Sequence, residues 1–380
     1  MAKGIYFGVD NIARKVKKAY VGVDGVARKV TKGYIGVGGV ARPFFSGEKK
    51  LIKYGTASNL TYATDWLAGA SVGDYALFAG GHKNTSTDYS TVNTYNSNLT
   101  KGTATSLSIA RCQLSGVKFD KYAMFVGGYN ESSKSVKNID YYDSNLTKSS
   151  SIQLEDAKHK IACGAIEDNY VIFAGGMQTE FSEVARTTTQ AYSKDLVSQT
   201  ISTLSYAKRY GSGVVVDKFF IIAGNNGSSN NKKVETFDSN LVHGNASDLT
   251  YPTYYMATAS LGDYAIFAGG IEYNKSTRSS YVQVYDKNLT KINCESLSAV
   301  RQELAGESLD EFALFAGGYG SSYSSTVDVY DKNLVKTNGD NLSAGRYRLA
   351  SATVGNYILF AGGEASSGYS NKVDVYQEIG

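Results

Sequence analysis

The sequence predicts an all-β protein: a seven-bladed β-propeller closed by an N-terminal strand and preceded by a small module of β-hairpins. Three observations predict it. An apolar strand ending in a glycine pair recurs along residues 51–380, six times intact and once as a degenerate copy. Each copy but the last is followed by an aromatic residue, a tight turn and a leucine. The last copy stops one strand short, and a segment resembling the missing strand stands in front of the first copy.

The N-terminal module, residues 1–46, repeats with a period of 14. Tyr6, Tyr20 and Tyr34 are in register, as are Gly8, Gly22 and Gly36, and Arg14, Arg28 and Arg42. Asp10-Asn11, Asp24-Gly25 and Gly38-Gly39 lie between them and are hairpin turn signals. A meander this short cannot bury a core alone. It therefore needs the rest of the chain, another copy of itself or a larger assembly. Residues 1–50 hold 11 Lys/Arg against 3 Asp/Glu, so the basic character of a chain with net charge +4 is concentrated there, and the remainder is net negative.

Residues 47–380 carry the seven units. The first glycines are Gly80, Gly127, Gly175, Gly224, Gly269, Gly317 and Gly362, spaced by 45 to 49 residues. A repeat at this period is the mark of a modular architecture. Each unit reads as four strands. The first has small residues, as in Ala68–Val72, which fits an innermost position where strands converge. The second, as in Tyr75–Ala79, is apolar on both faces, as a strand covered on both sides must be. The third ends in the aromatic residue, as at Tyr95, Tyr142, Tyr285 and Tyr330. The fourth follows the turn, as in Asn96-Ser97-Asn98-Leu99, where Asn or Asp tolerates left-handed backbone and is expected to hydrogen-bond locally. A further landmark, Leu-x-x-Ala-Arg/Lys, leads from the fourth strand into the next unit, as in Leu107 to Arg111. Residues 51–60 resemble Leu99–Leu107 and are expected to pair with the strand around Lys372–Tyr376, closing the last blade.

The glycine pair after an apolar strand, followed by a spaced Tyr, resembles the kelch repeat across residues 51–380. The Trp usual on the fourth strand of that repeat is missing; the single Trp, Trp66, sits elsewhere. The 14-residue basic repeat resembles tandem segments in phage and prophage structural proteins of Gram-positive bacteria. That resemblance covers about the first 46 residues and implies a virion or tail-associated component.

Composition narrows the chemistry. Gly (40) and Tyr (30) are abundant and Pro (2) is scarce, which favours short strands and turns over helices. Cys112, Cys163 and Cys294 are widely spaced, with neither a disulfide framework nor a zinc spacing. His82, His159 and His243 occupy different positions within the repeat, so no metal set or catalytic triad is expected, and no catalytic residue or cofactor is assigned. Copper radical oxidases on kelch-like propellers need a Tyr–Cys crosslink and histidine ligands that this spacing does not provide. No phosphate-binding glycine loop precedes a helix. No nucleic-acid partner and no membrane insertion are expected. Without an apolar leader, synthesis in a bacterial cytoplasm is expected, with a virion as the final setting.

Two sets of residues are candidates for binding. Arg111, Lys158, Lys208, Arg301 and Arg346 occupy one repeat position, with Thr64 and Thr253 completing the seven. They either brace adjacent blades or ring one end of the central channel as a funnel for an acidic glycan or a carboxylate-bearing ligand. Tyr129, Tyr273 and Tyr319 lie in the loops between second and third strands, whose Tyr, Ser and Asn content suits recognition. The expected function is non-enzymatic binding, with the propeller engaging a surface glycan and residues 1–46 attaching to copies of the chain or to a virion partner. An intracellular scaffold for protein–protein interaction and a sugar-processing enzyme are the alternatives.

Overall fold

The computed structural model describes residues 6–9, 12–15, 19–23, 26–30, 32–37, 40–46, 49–84, 87–167, 169–179, 183–225, 231–273, 275 and 277–379. The protein is all-β, and no helix occurs among the described residues. Contacts divide it into one unit of residues 1–52 with 378–380 and a second of Lys53–Gln377.

The first unit holds three hairpins, in keeping with the expected module of short strands: Tyr6–Val9 with Ile12–Lys15, Ala19–Val23 with Val26–Val30, and Lys32–Val37 with Val40–Ser46. Tyr6 faces Lys15 and Tyr20 faces Lys29, so the 14-residue period sets the pairing register. The three turn pairs, Asp10-Asn11, Asp24-Gly25 and Gly38-Gly39, lie outside the described residues, as do the side chains of these strands.

The second unit contains seven four-stranded antiparallel sheets, here sheets 1 to 7. Their first strands are Ala68–Val72, Ser115–Phe119, Ala162–Ile166, Ser212–Val216, Ala257–Leu261, Ala305–Leu309 and Ala350–Val354. Each first strand packs against that of the next sheet, and that of sheet 7 packs against that of sheet 1. The second strands share one burial pattern: a half-buried aromatic residue, then four buried residues. Both faces are covered because apolar clusters form between neighbouring sheets; one joins Phe78 and Tyr95 of sheet 1 to Leu359 and Val375 of sheet 7. The fourth strand of sheet 7 is Lys50–Ala57, paired with Val373–Ile379. The expected closing strand is therefore present, slightly earlier than residues 51–60.

The landmarks have physical causes. The aromatic of the third strand is buried, and its hydroxyl donates to a main-chain carbonyl 35 to 39 residues upstream: Tyr95 to Ser58, Tyr142 to Thr105, Tyr192 to Gln153, Tyr285 to Ser247, Tyr330 to Glu295 and Tyr376 to Asp340. That bond staples the preceding connection to the sheet. The glycine pair is left-handed, at φ 71° and 94° for Gly80 and Gly81. A Cβ on Gly80 would stand 2.5 Å from the Arg111 carbonyl oxygen, and one on Gly81 2.2 Å from Thr64 Oγ1. In the turn into the fourth strand the left-handed residue is the leucine, at φ 59–61° for Leu99, Leu146, Leu196, Leu241, Leu289 and Leu334. The Asn or Asp makes the expected local hydrogen bonds: Asn96 Oδ1 accepts the N–H groups of Asn98 and Thr100 at 3.0 and 2.9 Å. The leucine, partly buried, packs onto the apolar clusters.

Candidate functional site

The basic residues of the connecting segments are buried. Arg111, Lys158, Lys208, Arg301 and Arg346 are each at most 1% exposed. Arg111 donates to Asp140 at 2.8 Å and to the Phe125 carbonyl at 3.1 Å. Arg301 and Arg346 bind Asp328 and Asp374 and each donates to two main-chain carbonyls. Lys208 lies 3.5 Å from Glu235. These acceptors are the second residue of the third strand of the same sheet. The basic residue's own carbonyl meanwhile accepts the N–H of the preceding sheet's second glycine, as in Gly81 to Arg111 at 2.9 Å and Gly318 to Arg346 at 2.8 Å. Side chain and carbonyl together tie one sheet to the next.

The other two positions follow the same rule with neutral partners. Thr253 pairs with Gln283 at 3.4 Å, and Thr64 stands where the corresponding acceptor is Asn93. Lys158 is the exception: its acceptor position holds Gln190, and its ammonium donates to the carbonyl and hydroxyl of Thr188 at 3.1 Å each. Burial pulls its pKa down to about 8, against the opposing pull of Asp156 and Glu155. These five headgroups are consumed inside the sheets, as the bracing alternative expects, and do not form the open anion-binding funnel of the other. The signal was present in the sequence as Asp140, Glu235, Asp328 and Asp374.

Two residues further along each connection, the backbone turns left-handed at a residue other than glycine. These are Trp66, Gln113, Lys160, Tyr210, Tyr255, Glu303 and Arg348, with φ between 50° and 57°. Each costs roughly 1–2 kcal/mol relative to an ordinary conformation. The conformation is held by main-chain bonds from one connection to the previous one: Gln113 to Trp66 at 2.9 Å, Lys160 to Gln113 at 3.0 Å, Tyr255 to Tyr210 at 3.3 Å, Glu303 to Tyr255 at 3.4 Å, Arg348 to Glu303 at 2.9 Å and Trp66 to Arg348 at 3.1 Å. The last of these links sheet 7 back to sheet 1. Strain of this kind persists where the surroundings over-determine it, and it gathers at binding sites. All seven residues line one pocket of about 230 Å³.

The pocket is aromatic and mixed in charge. The Lys160 ammonium lies 4.3, 4.4 and 4.9 Å from the ring centres of Trp66, Tyr210 and Tyr255, and donates to the Tyr255 hydroxyl at 2.9 Å. Tyr210 stacks on Tyr255 with centroids 4.3 Å apart. Arg348 also lies over Trp66, at 4.7 Å, and meets three carboxylates: Glu303 at 3.1 Å, and Asp65 and Glu364 at 3.4 Å. Burial raises the Asp65 carboxyl to about 7, with Arg348 opposing. One guanidinium among three acids leaves no excess positive charge on that side.

A second tier stands beside this ring, where the residue after each glycine pair meets the residue before the left-handed one. Asp65 bridges His82, Cys112 bridges Tyr129, His159 bridges Met177, Gln302 bridges Tyr319 and Tyr347 bridges Glu364. Tyr319 joins the pocket's edge through Tyr347, 5.4 Å away, whose own ring lies under Arg348. Tyr129 instead packs on His159 at 5.5 Å, and Tyr273 donates its N–H to the Pro252 carbonyl; neither lines the pocket. Burial lowers the His159 pKa to about 3, so it is neutral, and its Nδ1 lies 3.1 Å from Ser135 Oγ. His243 stacks on Phe237 and contacts Glu235.

Sequence reasoning passed over the seven pocket residues because only Tyr recurs among them, at Tyr210 and Tyr255. The usable signal was that variability: six different large side chains over seven positions at one fixed offset from a strongly repeated landmark. Against known proteins, the chain matches no family model and no curated sequence.

Proposed function

We propose that residues 53–377 form a seven-bladed, kelch-like β-propeller that binds a surface glycan without catalysis, and that the glycan enters the pocket ringed by Trp66, Gln113, Lys160, Tyr210, Tyr255, Glu303 and Arg348. Support for the propeller is the cyclic order in which seven equivalent sheets contact one another. The binding reading is carried by one observation. The seven strained positions bear large aromatic and hydrogen-bonding side chains where glycine would be easier, and they converge on one cavity. Flat rings next to fixed donors and acceptors suit a sugar, whose apolar face stacks while its hydroxyls are satisfied at the edge. The ligand is a neutral or amine-bearing sugar, since the basic ring is internally paired and Arg348 is already neutralised. The basic hairpin module fits attachment, either to copies of the chain or within a phage or prophage virion.

Trp66 is the only tryptophan, so its fluorescence reports the pocket directly. A glycan array on the full chain should give neutral or amino-sugar hits that change Trp66 emission on titration. Lys160→Met should weaken those hits at least tenfold while leaving the unfolding midpoint nearly unchanged. An array with no hits, or hits indifferent to Lys160→Met, would remove this reading.

A further inference from the structure

We propose that His82, Asp88 and Cys112 form a binding site for one divalent transition-metal ion, zinc by its donor set, between sheets 1 and 2. The proposal stands independently of the glycan reading. His82 and Asp88 face each other in the short hairpin that follows Gly81. Cys112 lies on the connection into sheet 2, between the buried Arg111 and the pocket residue Gln113. One donor atom from each comes within 4.8 Å of the other two. The Cys112 backbone is pinned by paired bonds with Tyr129, at 2.9 and 2.8 Å, so the thiol is held at the junction.

Asp65 supplies the second, independent observation. Its side chain is fully buried, and Oδ1 lies 3.1 Å from His82 Nε2 while making no hydrogen bond of standard geometry. Histidines that ligate metals usually give their other ring nitrogen to such a carboxylate, which fixes the tautomer and the ring. With Nε2 directed at Asp65, Nδ1 is the nitrogen left for the ion. The repeat sharpens the case. The residues corresponding to His82 in sheets 2, 3, 6 and 7 are Tyr129, Met177, Tyr319 and Glu364, and those corresponding to Cys112 before sheets 1, 3, 6 and 7 are Asp65, His159, Gln302 and Tyr347. Imidazole, carboxylate and thiol meet only where sheet 1 adjoins sheet 2 among these junctions. Thiolate, imidazole and carboxylate together are a zinc set, and three protein ligands leave a fourth position for water. The thiol releases its proton to solvent on binding, because the thiolate is the ligand. The cysteine spacing gives no zinc motif in the sequence; the fold brings the donors together from residues that share no motif.

Cobalt(II) is the probe, added to the full-length chain. One ion per chain should produce a near-ultraviolet thiolate-to-cobalt charge-transfer band with visible d–d bands, and zinc should bleach both. Cys112→Ser should abolish the charge-transfer band, and Cys163→Ser should keep it. Asp88→Asn and His82→Gln should keep the band but weaken cobalt affinity at least tenfold. Asp65→Asn should weaken it by about 10- to 100-fold. A wild-type chain without the thiolate band, or a band that survives Cys112→Ser, overturns the site. If Cys112→Ser does not fold, Asp88→Asn and His82→Gln decide it, and unchanged affinity in both is the overturning result.

Discussion

Arg346 and Arg348 stand two residues apart on one connection and have opposite lives. Arg346 is fully buried and spends its guanidinium on Asp374 and two carbonyls of its own sheet. Arg348 is left-handed, its side chain 27% exposed, and faces a pocket. The same contrast recurs along the chain. At the first position the residue varies only between Arg, Lys and Thr, and apart from Lys158 the residue facing it varies with it between acid and amide. At the second position the seven residues have almost nothing in common. In a repeated architecture the invariant offset holds the sheets together, and the variable offset is free to meet something else. Side-chain identity therefore separates the two roles where backbone geometry, being equivalent in every repeat, cannot.

The most forceful way to break this comparison is Arg346→Met. It leaves the Asp374 carboxylate buried, with the Ser343 N–H and hydroxyl and a contact to Lys53 as its remaining partners. Removing one partner of a buried pair costs about 3–5 kcal/mol. Urea unfolding should show a loss of that size, with Trp66 emission in the native baseline unchanged. Lys158→Met should cost much less, because no carboxylate is left unpaired. Equal losses in both variants would mean that carboxylate pairing is not what distinguishes the braces.

Glu307 tests whether every break in the repeat belongs to the pocket. It sits in the first strand of sheet 6 at a position where the other sheets carry Ala, Val or Gly: Ala70, Val117, Gly164, Val214, Ala259 and Ala352. It is not among the pocket residues. Burial raises its pKa from 4.5 to about 7, against hydrogen bonds from Ser308 and Ser351. The folded chain thus holds this proton more tightly than the unfolded chain. Stability from the neutral acid is fully present below about pH 4.5 and is lost as pH rises through 7. Glu307→Gln should match the wild type below about pH 4 and exceed it by about 3 kcal/mol near pH 8.5. A constant difference across that range would show that the carboxyl does not titrate there.

Most of the fold was legible because its signals are local and repeated. The glycine pairs need left-handed backbone, the second strands must be apolar on both faces, and the buried tyrosines each need one acceptor. The closing strand was legible from a missing piece at the other end of the chain. At the turns the local hydrogen bonding of Asn and Asp was legible, but the left-handed residue was not, because general propensity favours Asn over leucine there. The site was the least legible part. Arg111, Arg301 and Arg346 stayed open between braces and a ligand ring because their partners Asp140, Asp328 and Asp374 lie about 30 residues downstream. Trp66 and Lys160 meet only because successive connections converge, a geometry that no window of the sequence contains.

The smallest expected effect is also the sharpest test of the variable offset. Gln113 holds φ at 54°, and its two ring bonds, from its own N–H to Trp66 and from the Lys160 N–H to its carbonyl, involve backbone atoms alone. Glycine can make both. Gln113→Gly removes a left-handed penalty of roughly 1–2 kcal/mol, and the greater freedom of glycine in the unfolded chain takes back about 0.5–1 kcal/mol. The variant should therefore be as stable as the wild type or more stable by up to about 1 kcal/mol, measured by urea unfolding with Trp66 as reporter. If the side chain is there for a ligand, binding should suffer while the fold does not. A loss of stability instead would mean that the Gln113 side chain supports the connection. The second offset would then be structural, like the first, and the distinction between Arg346 and Arg348 would not extend around the ring.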